Sequence, residues 1–167
     1  EELVAAWKKL LSCCDALSSS DGFRYDIVDL TRQVLADYAS VLQQNAARAF
    51  KNGDIPAYKT ASGEFLTLID ELENLLGTRE EFLLGRWLGD ARRMGKTQEE
   101  KNLYEHNARN LIGCWGDRNC RIKDYACRQW NGMMSGYYHK RWEMFFNETI
   151  SALEKGEEFD FKAFEER

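Results

Sequence analysis

The sequence predicts an all-α fold, an antiparallel bundle of five to six long helices. Three observations carry that expectation. Apolar residues recur at helical spacing in nearly every segment, proline occurs once (Pro56), and β-branched residues are sparse, which favours helix over strand. Connections between the periodic segments are short, and no alternating strand pattern interrupts them. With 167 residues and 44% hydrophobic side chains, the chain suits one domain, residues 1–167, with a sizeable core.

Leu3, Trp7, Leu10, Leu11, Cys14 and Leu17 follow an i, i+4, i+7, i+8 spacing, so the first helix has one apolar face. Ser18-Ser19-Ser20-Asp21-Gly22 breaks it and offers caps to the next. A long helix from about Tyr25 to Phe50 comes next, with Ile27, Leu30, Val34, Tyr38, Val41 and Leu42 facing inward, and Asn52-Gly53-Asp54 ends it. The third helix, roughly Ile55 to Leu76, opens near Pro56, which a first turn tolerates. Its inward face is Tyr58, Phe65, Leu68, Ile69, Leu72 and Leu76, with Gly77 as the expected C-cap.

Thr78 with Glu81, and Thr97 with Glu100, match the capping-box pattern. The first opens a helix bearing Leu84, Trp87, Leu88 and Ala91 and stopped at Gly95; the second opens one with Leu103, Asn107, Leu111 and Ile112. After a loop at Gly116–Arg121, Asp124 is the expected N-cap of a final helical run. Trp130, Met133, Met134, Tyr137, Trp142, Phe145 and Leu153 line that run, with a break near Tyr138–His139. The tail from Glu157 to Arg167 alternates acids with Phe159, Phe161 and Phe164, rings that need a surface to sit on. The bundle end or a neighbouring domain would supply it.

Charge and motif content exclude several functions. A net charge of -5 with no basic stripe argues against nucleic acid as a partner. No apolar run approaches the roughly 20 residues needed to span a bilayer, and the start, Glu1-Glu2-Leu3, is not a signal peptide. Five cysteines are an odd number, and the spacing of Cys114, Cys120 and Cys127 is not that of zinc ligands. A Cys114–Cys120 disulfide would close the loop in an oxidising compartment; free thiols are the favoured reading. In the first helix, Cys14 reads as a small core residue and Cys13 lies off that face.

No catalytic constellation emerges. His106 and His139 lack partners at metal-ligand spacing, and there is no phosphate loop and no nucleophile elbow. Glu80-Glu81 and Glu99-Glu100 fall in first turns, where the helix dipole favours negative charge, and Asp90 reads as a surface partner of Arg86. The residues themselves call for no metal and no cofactor. What remains is the stretch Cys114 to Trp130, a polar loop bracketed by large rings. Trp115, Tyr125 and Trp130 are core aromatics on residue type alone. Held instead at a helix entrance, such rings stack on the apolar face of a small cyclic ligand while their polar edges orient it.

Several ordered blocks resemble one known family. Tyr25-Asp26-Ile27-Val28-Asp29-Leu30-Thr31-Arg32-Gln33 is similar to its Tyr-Asp-Leu-Val-Asp-Leu-Thr-Arg-Gln, and Phe82-Leu83-Leu84-Gly85-Arg86-Trp87-Leu88 with Asp90-Ala91-Arg92 to its Phe-Leu-Leu-Gly-x-Trp-Leu stretch. Tyr104-Glu105, Asn107-Ala108-Arg109 and Trp115-Gly116 continue in order. Then Ile122-Lys123-Asp124-Tyr125-Ala126 and Gln129-Trp130 match Ile-Leu-Asp-Tyr-Ala-Asn-Lys-Gln-Trp, and Tyr137-Tyr138 with Arg141-Trp142 match Tyr-Tyr-x-x-Arg-Trp. The chain thus resembles the C-terminal all-helical domain of the family 89 glycoside hydrolases, the α-N-acetylglucosaminidases.

That resemblance implies an enzyme removing terminal α-linked N-acetylglucosamine from glycans such as heparan sulfate, with retention. Retention needs two carboxyl groups about 5–5.5 Å apart, and in the family both lie in a (β/α)₈ barrel that precedes the helical domain. The resemblance therefore implies no catalytic residue in this chain and an isolated chain without activity. It implies two partners: the missing catalytic barrel of the same polypeptide, and an N-acetylglucosamine-terminated glycan. It implies an exported or lysosomal parent. By motif it carries over Trp115, Ile122 and Tyr125 as substrate-binding residues at the rim of the sugar pocket. Three departures fall between Trp115 and Trp130: Asp117-Arg118-Asn119-Cys120-Arg121 replaces the usual Pro and Gly, Lys123 a leucine and Cys127 an asparagine. His139-Lys140 stands where Leu-Pro is common, which would let the last helix run straighter. The alternative reading is a non-catalytic glycan-binding or protein-interaction helical bundle.

Overall fold

The computed structural model describes residues 2–116, 120 and 124–166. Among them the chain forms eight α-helices, and no strand. The predicted first helix is split into α1 (Glu2–Leu11) and α2 (Cys14–Leu17). Ser12 Oγ and Cys13 Sγ both turn back onto the Lys9 carbonyl, at 2.7 and 3.4 Å, and this competition opens the helix. Neither piece buries a residue, Cys14 included; α1 leans on the long helix that follows α2 through Trp7, whose indole N–H donates to Thr31 Oγ1 at 2.9 Å.

Helix α3 (Asp21–Lys51) starts four residues before Tyr25, because Ser20 caps it by accepting from the Phe23 N–H. Its buried residues are Phe23, Val28, Val34, Leu42, Ala46 and Ala49. Of the expected inward set, Tyr38 and Val41 are exposed. The face that meets α4 (Ile55–Leu76) runs through Val28, Leu42, Ala46 and Ala49, and the ten-residue α1 is too short to cover the opposite stripe along its length. Helix α4 matches expectation throughout. Asp54 caps it at Ala57 N, Pro56 sits in the first turn, and Tyr58, Phe65, Leu68, Ile69, Leu72 and Leu76 are all buried.

The capping box at Thr78 does not form. Thr78 Oγ1 donates to the Leu75 carbonyl at 2.6 Å, and Glu81 instead pairs with Arg79, which also holds Asp21 at the start of α3. Arg79 keeps the Asp21 and Glu81 carboxyls below their ordinary range, chiefly through those hydrogen bonds. A 3-10 turn (Glu80–Phe82) leads into α5 (Leu84–Met94). Arg86 pairs with Glu80 and Asp90 with Arg93, so the expected Arg86–Asp90 pair is replaced. The second capping box is present: Thr97 and Glu100 satisfy each other's backbone at the start of α6 (Gln98–Ile112). Between the two helices, a Cβ on Gly95 would stand 2.6 Å from the Lys101 nitrogen, so only glycine fits that approach. On α6 the buried residues are Ala108 and Ile112; Leu103, Asn107 and Leu111, expected inside, face outward because α6 packs mainly on α5.

The last run begins with a π-helical stretch (Met134–His139), in which the Tyr138 N–H reaches back to the Met133 carbonyl at 3.0 Å. It passes directly into α7 (Lys140–Lys155), so near Tyr138–His139 the run changes from π to α where a break was expected and is not interrupted. Gly156 in the left-handed region ends α7, and α8 (Phe161–Glu165) comes after it. The tail rings find their surface at the bundle end: Phe159, Phe161 and Phe164 pack on Phe145 with centroids 5.4 to 6.2 Å apart. The core lies between α3, α4 and α7. At its centre Tyr58 Oη and Thr149 Oγ1 share a hydrogen bond of 2.7 Å, and burial pushes the Tyr58 phenol up. No helix of the described residues is long and apolar enough to cross a membrane.

Candidate functional site

The sequence singles out the segment after α6, and its backbone is unusual. Trp115, Asp124 and Cys127 have φ of 61°, 56° and 44°, and they are the described non-glycine residues with positive φ. Such conformations are costly for L-residues and concentrate at functional sites. Two backbone bonds hold the segment in shape. The Trp115 N–H donates to the Asn110 carbonyl at 2.7 Å, and the Asp124 N–H donates to the Gly113 carbonyl at 2.9 Å. The second bond closes a loop whose two arms carry Trp115 and Tyr125.

Those two rings come together. Their centroids are 5.0 Å apart with planes tilted by 56°. They are not core aromatics: Trp115 is 41% exposed and Tyr125 67%. Trp130 is half-buried against Trp87, centroids 5.9 Å apart, and the Trp87 indole donates to the Ala108 carbonyl. Ile122, the third residue carried over by motif, lies outside the described residues. Asp124 is no helix N-cap. With φ of 56° it sits in a turn, and its Oδ2 pairs with Arg141 in the first turn of α7. Its Oδ1 is buried without a hydrogen-bond partner among the described residues. The Tyr137 and Tyr138 phenols beside it are pushed up, by burial first and then by the Asp124 charge.

Farther along, the segment is stitched to the bundle at several points. Arg32, paired with Asp29, donates to Gln129 Oε1 at 2.7 Å. Asn131 exchanges backbone bonds with Phe82 and Leu84, at 2.9 and 3.1 Å. A Cβ on Gly132, whose φ is 89°, would stand 3.3 Å from the Leu84 Cβ. Asp29, Arg32, Phe82, Leu84 and Gln129 come from the motif blocks that the sequence groups; Asn131 and Gly132 do not.

One anchor was not singled out from the sequence. Glu73 accepts from Asn131 Nδ2 at 2.9 Å, from the Gly132 N–H at 2.8 Å and from the Ser135 N–H at 3.1 Å. The signal was present: a carboxylate in the last turn of α4 opposes that helix's dipole. It is accommodated because it serves as the anion at the start of the π-helical stretch. Replacing Glu73 with alanine orphans those donors, so a loss of about 1–3 kcal/mol is expected in denaturant unfolding. A change within 0.5 kcal/mol or so, the range of an ordinary surface substitution, would contradict this.

Chemically, the arrangement is a pair of exposed rings beside an ion-paired carboxylate. Among the described residues no cluster of His, Cys, Asp or Glu could hold a metal ion. His106 is exposed, and His139 pairs with Asp70 at 3.5 Å. Cys114 carries a free thiol, so no disulfide from it closes the loop. The tilted ring pair offers a π-face to the C–H surface of a cyclic ligand and a phenol to hydrogen-bond it.

Comparison with known proteins supplies relatives of this chain. The family described as "Alpha-N-acetylglucosaminidase (NAGLU) C-terminal domain" matches residues 1–167. Human α-N-acetylglucosaminidase is 32% identical over 165 residues, covering 98% of this chain and 22% of that protein. A family 89 glycoside hydrolase from Clostridium perfringens, solved in complex with PUGNAc, superposes with a TM-score of 0.89 at 37% identity, over 96% of this chain and 19% of that one. A second structure from that organism, in complex with its substrate GlcNAc-α-1,4-galactose, gives a TM-score of 0.89 at 38% identity, over 96% and 19% of the two chains. The chain thus spans about a fifth of the length of these relatives.

Proposed function

Because this chain belongs to the α-N-acetylglucosaminidase C-terminal domains of the family 89 glycoside hydrolases, we propose that it is the helical wall of an exo-acting, retaining α-N-acetylglucosaminidase. In this reading residues 1–167 form one helical domain that packs on a catalytic barrel in the same polypeptide. The barrel supplies both catalytic carboxylates, and this domain supplies Trp115, Ile122 and Tyr125 to the pocket for a terminal N-acetylglucosamine. The observation that carries the reading is the exposed Trp115–Tyr125 pair on its strained loop. Large rings held in water by a costly backbone have a use that burial does not explain. Leu103 and Leu111, eight residues apart on one face of α6, are exposed as well, and Met94 precedes them at the end of α5. Each is an exposed apolar side chain that a docked barrel would cover.

The purified chain is expected to show no turnover of an aryl α-N-acetylglucosaminide, whereas the parent polypeptide with its barrel hydrolyses it with retention. Turnover by the chain alone, or a parent without this activity, would overturn the reading. The exposed rings also favour a second possibility, a bundle that binds glycans without a barrel. Saturable binding of N-acetylglucosamine by the isolated chain in calorimetry would support that instead.

A further inference from the structure

We propose that Arg141 is a positioning residue for the sugar pocket, acting through Asp124 to fix the angle of the Trp115–Tyr125 pair; this rests on the reading that the pair lines that pocket. Asp124 touches both arms of the loop. It directly precedes Tyr125, and its N–H closes the loop onto Gly113, two residues before Trp115. Its carboxylate is tied to Arg141 on α7, so the pair joins the strained turn to a rigid helix of the core.

The asymmetry of the ion pair points to placement rather than stability. The Arg141 side chain is 51% exposed and that of Asp124 19%. A half-exposed pair contributes little to folding. An inward carboxylate deprived of this cation, however, turns towards water and takes its backbone with it, and that backbone is held at φ of 56°. The rings themselves sit at the surface, so the turn beneath them decides where they point. Tyr137 does not replace the arginine: its hydroxyl faces the same carboxylate but carries no positive charge.

The test uses the parent polypeptide and kcat/KM on an aryl α-N-acetylglucosaminide. Arg141→Ala is expected to lower it about 10-fold, as misplacement of a binding group does, with a melting temperature close to wild type. Arg141→Lys should recover part of the loss, since it restores charge without the guanidinium fork. The double variant with Trp115→Ala should lose less than the product of the two single losses, because part of the arginine's effect passes through that ring. Amide hydrogen exchange at Trp115 and Asp124 should quicken in Arg141→Ala while core amides are unchanged. Wild-type kinetics in Arg141→Ala beside a damaged Trp115→Ala would overturn the positioning role alone, as would losses that multiply in the double variant. A silent Trp115→Ala would remove the pocket reading and this inference with it.

Discussion

Replacing Trp115 with alanine in the parent polypeptide is expected to lower kcat/KM on an α-N-acetylglucosaminide by 10-fold or more, about 1.4 kcal/mol of transition-state stabilisation. The melting temperature should stay close to wild type. The two halves of this expectation have separate causes. Trp115 is 41% exposed, and the ring that packs on it, Tyr125, is more exposed still. Trp115 is not among the rings packed on the core cluster, so truncation leaves that cluster intact, and alanine leaves the backbone bond to Asn110 in place. A sugar stacked on the indole would lose its whole apolar platform. Steady-state kinetics with matched thermal melts check both halves. Unchanged kinetics would make the domain a scaffold, and a large fall in melting temperature would make the ring a packing element.

The largest stability effect belongs to the opposite kind of residue. Leu76 closes α4, has no exposed surface, and sits with Leu72, Phe65 and Phe146 in the core cluster. Leu76→Ala should cost about 2–5 kcal/mol in denaturant unfolding, the lost transfer free energy plus the cavity left behind. Leu103→Ala is the informative control. At 53% exposure it should cost the isolated chain less than about 0.5 kcal/mol. If the barrel docks on α6, the same change weakens the parent more than the fragment. A Leu76→Ala variant within 1 kcal/mol or so of wild type would mean the core collapses around the gap.

These two leucines mark what periodicity can and cannot reveal. Helix α4 is covered along its length, so its stripe was legible residue by residue. Helix α6 has the same kind of stripe, yet Leu103 and Leu111 face outward, because an apolar pattern says which face wants cover and not whether this chain supplies it. Caps divide similarly. Thr97 and Glu100 complete their box within one turn, whereas at Thr78 the hydroxyl goes to the Leu75 carbonyl and Glu81 to Arg79. The pattern alone does not show which of two nearby partners wins.

The candidate site was the least legible part. Residue type argued for burying Trp115 and Tyr125, and only the ordered motif blocks pointed to an exposed role. Asp124 has an N-cap's side chain, but the helix it was expected to open starts ten residues later. Glu73 is separated from its partners by 58 to 62 residues, and its one local clue was an acid at the wrong end of a helix.

The π-helical stretch from Met134 to His139 also sets the rotational phase of α7. An α-helix turns about 100° per residue, so the wider turn absorbs one surplus residue without interrupting the rod. Helix α7 therefore emerges about a quarter-turn away from the azimuth an unbroken α-helix would give it. That azimuth aims Phe146 and Thr149 into the core and leaves Arg141 facing Asp124. A single supernumerary residue thus lets one helix keep two alignments at once, with the hydrophobic interior below and with the loop of the ring pair above.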